Sequence, residues 1–282
     1  MKLTSIELYS NEVSVATFSF RDPGSQNPYT AKTIDGLDAD VITPKFYGYN
    51  ASANKKYYDL TLGQRDITIT IALNPDFSAL KSYSELRDDL YKVISSSRTG
   101  VVQLRFNDGV TTIAAISGFV TKFESPQFAQ TPEVKITIRC DDPMLRSLAP
   151  VSVSPLLLDT SFQITDIDST APHGFQFQLT FDADALSFVM QDAVVPEWVF
   201  TITPGVIGAN TGFKDNDILY FSSENGNKQL YLVRAAVPIY IVDKIEIGST
   251  WPTLFPGTNT FEITTGAFTW DALTYYKTYW GV

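Results

Sequence analysis

Along the first half of the chain the hydrophobic positions recur with a period of two. Ile67, Ile69 and Ile71 are separated by Thr68 and Thr70, and Val134, Ile136 and Ile138 by Lys135 and Thr137. Side chains alternate between faces along a strand, so each run reads as a half-buried strand. Further strands are expected at Leu3 to Tyr9, Val13 to Phe20, Tyr57 to Leu62, Val101 to Phe106 and Thr112 to Phe123, broken by turn signals such as Asn107-Asp108-Gly109. One segment has the helical period instead. Ser82 and Glu85 form an S-x-x-E capping box, Leu86, Leu90, Val93 and Ile94 recur on one face as far as Ser97, and Gly100 is a stop. The expectation is a β-sandwich or barrel carrying one helix near 82–97. Two stretches depart from the pattern: Arg21 to Pro44, rich in Gly, Pro, Asn and Asp, and Tyr47 to Lys56. Long loops in compact domains are commonly functional. They read either as arms that lie against a neighbouring subunit or as plain surface loops.

The strand pattern stops at Asp141-Asp142-Pro143, and Ala149 to Pro172 follows with repeated Pro, Ser, Thr and Asp. The pattern resumes where Phe175, Phe177, Leu179 and Phe181 alternate with Gln176, Gln178 and Thr180. Short strands are expected near Glu197 to Thr203, Ile218 to Ser222, Gln229 to Arg234, Ile239 to Ile247 and Phe261 to Thr265. The organisation read from this is a β domain at 1–148, a linker at 149–172 and a second β-sandwich domain, without a helix, at 173–282.

Composition supports a packed, β-rich protein. The chain has 282 residues, 44% hydrophobic, 13% aromatic and 18% charged. Its net charge is −10, and the pI near 4.6 opposes a grip on nucleic-acid phosphates or anionic membranes, which need a positive field. The same charge suits a surface that DNA passes without sticking. The start Met1-Lys2-Leu3-Thr4-Ser5-Ile6-Glu7 has no leader pattern, and no apolar run approaches the ~18 residues of a membrane helix. Synthesis and assembly in a cytoplasm, with no membrane insertion, are expected.

Candidate chemistry is sparse. There is one cysteine, Cys140, and one histidine, His173, so no internal disulfide can form and a zinc site is poorly supplied. Cys140 continues the alternation of Val134, Ile136 and Ile138 and reads as a small apolar strand residue facing the core. His173 lies in Ala171-Pro172-His173-Gly174, turn sequence rather than the rigid setting a catalytic base needs. Gly205 to Gly212 lacks the Lys-Ser or Lys-Thr of a phosphate loop and reads as a β-turn. Asp215-Asn216-Asp217 lacks the spaced ligands of a calcium loop and reads as a solvated turn. Acidic pairs such as Asp166 with Asp168 and Asp182 with Asp184 are what 31 carboxylates produce by chance. No catalytic, cofactor or metal residue is assigned. Aromatic clusters stand out more: Tyr57-Tyr58 beside Lys55-Lys56, Trp251 among prolines, and Tyr275-Tyr276-Lys277-Thr278-Tyr279-Trp280. Such residues serve protein interfaces, sugar-stacking platforms or small β cores.

Three C-terminal stretches carry a resemblance. Asn216-Asp217-Ile218-Leu219-Tyr220-Phe221, then Gln229-Leu230-Tyr231-Leu232-Val233, then Thr250-Trp251-Pro252-Thr253-Leu254-Phe255-Pro256-Gly257-Thr258-Asn259-Thr260-Phe261 are similar to the second domain of siphophage distal tail proteins. That family has a strand of the form gD-x-L and a turn of the form P-x-L-x-P-G-x-N. The Ile138-Arg139-Cys140-Asp141-Asp142-Pro143 ending of the first half resembles the strand-then-Asp-Pro exit of the family's ring domain. Arg21 to Lys56 has no counterpart in it. The resemblance implies a tail-tube-like first domain and a galectin-like or jelly-roll-like second one. It implies a homo-hexameric ring in the virion at the tail tip, joining the tail-tube protein to the tail hub, with a lumen for DNA. It extends the partners to a tape-measure protein, a receptor-binding protein or a host-surface glycan. Asp22, Pro28, Tyr29, Asp38, Pro44, Tyr47 and Tyr49 are then candidates for an inter-subunit arm. Trp251, Trp270 and Trp280 are candidates for surface binding. The alternatives are a tail-tube protein with a decoration domain, a carbohydrate-binding adsorption protein and, last, a glycosidase.

Overall fold

The computed structural model describes residues 3–10, 12–20, 27–38, 43–47, 56–61, 63–77, 81–97, 100–126, 132–154, 160–166, 168–193, 199–207 and 210–281. The described residues are mainly β with one α-helix and divide into two units, Met1–Leu148 with Tyr279–Val282, and Ala149–Thr278.

The first unit contains β1 (Ser5–Ser10), β2 (Val13–Phe20), β3 (Tyr29–Asp35), β4 (Thr43–Tyr47), β5 (Lys56–Thr61), β6 (Arg65–Leu73), α1 (Tyr83–Ser97), β7 (Val102–Asn107), β8 (Thr112–Glu124), β9 (Glu133–Cys140) and β10 (Leu145–Arg146). Strands β8-β7-β1-β2-β3-β6-β9 run side by side, and β9 returns to pair with the far end of β8, so the seven close into a barrel. Gly118 sits where β8 leaves β7 and turns onto β9; a Cβ there would lie 2.4 Å from the Arg139 carbonyl oxygen, so only glycine permits the approach. Alternation fills the interior: Ile6 and Leu8, Ile67, Ile69 and Ile71, Leu104 and Phe106, Val134, Ile136 and Ile138 are all buried. The capping box forms as expected. Glu85 Oε2 accepts the Ser82 N–H at 2.7 Å, while Leu86, Leu90 and Ile94 are buried and the helix packs on β2, β6 and β8. Among the described residues, strands β4 and β5 form a separate two-stranded sheet.

In the second unit β11 (Val151–Val153), β12 (Ser161–Asp166), β13 (Phe175–Phe181), β14 (Phe188–Asp192), β15 (Val199–Ile202), β16 (Val206–Ile207), β17 (Asn210–Thr211), β18 (Ile218–Ser222), β19 (Gln229–Arg234), β20 (Val237–Tyr240), β21 (Gly257–Thr264) and β22 (Phe268–Tyr275) follow. They form a six-stranded sheet β11-β22-β13-β18-β19-β20 and a four-stranded sheet β12-β21-β14-β15, with β16 and β17 as a separate small hairpin. Every pairing in the two larger sheets is antiparallel. Their inward residues form one apolar core rich in phenylalanine, including Phe162, Phe175, Phe177, Phe188, Phe200, Phe221 and Phe261.

The linker expectation for 149–172 is corrected. These residues supply β11 and β12, and Phe162 and Ile164 are core residues. Ser161 to Asp166 alternates exposed and buried positions, a strand whose polar face hides it in a Ser- and Thr-rich stretch. The second boundary also moves, because β23 (Thr278–Tyr279) lies beside β10 and the Trp280 carbonyl accepts a 2.7 Å bond from the buried Arg65 of the first unit.

Candidate functional site

The arm expectation is divided by the structure. Tyr29 opens β3, a barrel strand between β2 and β6; its ring meets Phe18 edge-on and its hydroxyl donates to the Leu86 carbonyl at 3.2 Å. Pro28 leads directly into that strand, and the Pro28 carbonyl accepts the Asn74 N–H at 2.8 Å. Neither belongs to a free excursion. Asp38 is exposed beyond the end of β3, and Pro44 and Tyr47 lie in β4. Asp22 and Tyr49 fall outside the described residues.

Of the three candidate tryptophans, Trp270 is buried and Trp251 and Trp280 are half-buried. Trp270 is 6% exposed, edge-on to Phe162, Phe177 and Phe268. Trp251 packs on Phe200 and Phe221 and holds the Lys228 ammonium over its ring. Trp280 is half-buried in the first unit. Large flat side chains were drawn into cores, where they bury the most area.

The residues weighed for chemistry are each engaged by neighbouring groups. His173 is 5% exposed rather than a turn residue: its Nδ1 lies 3.2 Å from Thr278 Oγ1, and its Nε2 faces Asp166 Oδ2 at 3.3 Å. A Thr-His-Asp row of this kind has the order of a nucleophilic relay. Here the Thr278 hydroxyl donates to the Ala171 carbonyl at 2.8 Å, Thr278 and Asp166 are 4% and 2% exposed, and Tyr275 stacks on the imidazole. A group this enclosed cannot meet a polymer substrate. Asp217 is not solvated either. It is 1% exposed and takes a forked ion pair from Arg234, whose guanidinium also donates to the Ile207 and Gly212 carbonyls. Asp184 and Asp168 are engaged separately by Lys214 and Lys277. Cys140 is fully buried, and burial pushes its thiol up to about 12. Among the described residues no group of three His, Cys, Asp or Glu is placed to hold a metal, and no helix is long and apolar enough to cross a membrane.

What the structure does assemble is a face of the six-stranded sheet. Register aligns Ala272, Gln178, Tyr220, Tyr231 and Tyr240 in one row across five strands. Ser152, Thr274, Gln176, Ser222 and Gln229 form the next row. Because the intervening residues Phe175, Phe177, Leu219, Phe221, Leu230 and Leu232 point into the core, both rows point outward. Tyr220 and Tyr231 stack with ring centroids 4.7 Å apart and planes 10° apart, and Tyr240 follows at 5.9 Å. Beside them lies an open trough of about 210 Å³, lined by these two rows apart from Tyr240 and Ser152, together with Asn227, Phe177 and Phe221. Close packing of the three phenols raises the Tyr231 pKa, first by desolvation and then through Tyr220 and Tyr240. The tyrosines were hard to find in the sequence because Leu219-Tyr220-Phe221 and Leu230-Tyr231-Leu232 read as nearly continuous apolar runs. Only the Tyr220–Tyr231 register makes them neighbours.

No family model and no curated protein matches the chain. Among solved structures, the Dit protein of phage SPP1 superposes with a TM-score of 0.59 over 96% of this chain and 98% of that one, at 12% identity. The chain has the SPP1 Dit fold. Dit is described as a paradigm of the hub adsorption apparatus of phages that infect Gram-positive bacteria. The likeness to Dit runs through both units, so it covers the barrel, its helix and the Phe-rich sandwich together. Chains of the phage p2 baseplate in its activated conformation, with strontium and with calcium, cover 95% and 98% of this chain at 8% identity, with TM-scores of 0.40 and 0.43. Those values are too low to bear on the fold.

Proposed function

We propose that this protein is a structural component of a phage tail tip. Six copies form a ring that joins the tail-tube protein to the hub and leaves a lumen for DNA. The observation that carries this reading is the near-complete coverage of both chains in the Dit superposition, which takes in both units of this chain. A partial match would have supported only a common β module. The net charge of −10 agrees with a lumen that does not hold DNA, since six copies concentrate like charge. The reading is of a non-enzymatic protein: Thr278, His173 and Asp166 are sealed in the second unit, and Asp217 is locked by Arg234. Its place is the virion tail, after assembly in the host cytoplasm, and its further partners are the tape-measure protein and a receptor-binding protein. Immunogold labelling of purified phage with antibody to this chain tests the placement. Label at the distal end of the tail is expected; label along the whole tail would favour a tail-tube protein instead.

A further inference from the structure

We infer that the trough beside Tyr220 and Tyr231 is a binding site for an uncharged oligosaccharide. The inference rests on this face alone and is independent of whether the chain forms a ring.

The lining decides the chemistry of the ligand. In a chain with 31 Asp and Glu, none lines the trough, and no Lys or Arg does either. Its polar groups are the amides of Gln176, Gln178, Gln229 and Asn227, the hydroxyls of Ser222 and Thr274 and the two phenols, neutral groups of the kind that bond neighbouring sugar hydroxyls. A polyanion would find no cation here; the nearby Lys228 ammonium is over the Trp251 ring. The stacked phenols supply the second half of such a site. Tyr231 covers one face of Tyr220, Gln178 is the register partner of Tyr220 on the opposite side, and the parts of the two phenols that line the trough offer a surface on which the C–H face of a sugar ring can pack. Ala272, with only a methyl beyond the backbone, keeps the floor low next to Gln178.

Shape and rigidity agree with that assignment. An open trough of about 210 Å³ falls below the roughly 300–1,000 Å³ of enclosed ligand pockets, which suits part of a longer chain rather than an engulfed small molecule. All but one of the polar groups named stand on paired strands, and Gln178 is further fixed by its 3.2 Å bond to Asp271, which also accepts from Thr180. A protein partner fits less well. Protein interfaces are apolar at their centres, whereas here the row beside the tyrosines is amide and hydroxyl; the exposed Val237 and Ile247 lie outside the trough.

The test uses the full-length protein titrated with neutral oligosaccharides of glucose, galactose and N-acetylglucosamine, and with acidic glycans, by calorimetry. Saturable binding of a neutral oligosaccharide is expected. Tyr220→Ala should weaken it about tenfold or more, the loss of one central aromatic contact. Tyr220→Phe should retain it and Gln178→Ala should weaken it, while Val206→Ala, on an exposed residue of the separate hairpin, should leave it unchanged. Unchanged circular dichroism and thermal midpoint for Gln178→Ala separate a lost contact from a lost fold. The assignment is overturned if no neutral oligosaccharide binds, if only acidic glycans bind, or if Tyr220→Ala binds as well as the parent. It is also overturned if Tyr220 and Tyr231 are covered by another tail protein in assembled tails, read as protection from hydroxyl-radical labelling.

Discussion

Arg234→Met should destabilise the second unit by about 3 kcal/mol, the lower end of what breaking a buried ion pair costs. The lower end applies because the Arg234 side chain is 15% exposed while the Asp217 side chain is 2% exposed. Three kinds of loss add up. The substitution removes contacts of 2.9 Å and 2.6 Å to the carboxylate, takes the guanidinium donors from the Ile207 and Gly212 carbonyls, and leaves the Asp217 charge with the Lys214 N–H at 2.8 Å. Most of that cost is the uncompensated charge, so Arg234→Met with Asp217→Asn should be about 1 kcal/mol or more milder than Arg234→Met by itself. Urea unfolding, followed by the fluorescence of Trp251 and Trp270 in the same unit, reads the difference. With a slope of about 2 kcal/mol/M, the single change should lower the midpoint by roughly 1.5 M. A single-variant cost under about 0.5 kcal/mol, typical of a surface position, would refute the reasoning. So would a double variant whose loss equals the sum of the two single losses, since independent sites add.

The hairpin between β19 and β20 turns through Ala235 and Ala236 at φ of 49° and 64°, so Ala235→Asn with Ala236→Gly should raise stability by about 1 kcal/mol, measured by urea unfolding. Trp270→Ala should cost about 3–5 kcal/mol as a core deletion, whereas Tyr240→Ala, at 75% exposure, should change stability by less than about 0.5 kcal/mol; the same assay ranks them. Burial holds the Cys140 thiol protonated to about pH 12, while an unfolded cysteine ionises near ~8.5. The unfolded state therefore sheds a proton first, so stability falls as pH rises from ~8.5 towards 12. Cys140→Ala should flatten that decline, and the native thiol should resist thiol reagents until urea is added.

Much of the fold was legible because it is written locally. The isoleucine alternation in β6, the alternation in β9, the Phe175 to Phe181 run and the Ser82 and Glu85 box each specify an element within a few residues. What stayed hidden depends on residues far apart. Ser161 to Asp166 becomes a strand only when Gly257 to Glu262 pairs with it. His173 looks like turn sequence until Asp166 and Thr278 close around it, and the Arg21 to Pro44 stretch looked like an arm until β3 proved to be a barrel stave. The placement of the candidate aromatics depends on distant residues too. Tryptophan was the stronger compositional signal, yet the core claimed Trp270 and most of Trp251, and the outward aromatics are tyrosines aligned by register.

The central claim, a ring-forming tail-tip protein, is tested most directly by the assembly state of the purified full-length chain. Mass photometry together with negative-stain electron microscopy should give particles of six times the 31.3 kDa chain mass and class averages with six-fold symmetry around an open centre. A monodisperse monomer at high concentration, with no ring in any class, would contradict the account.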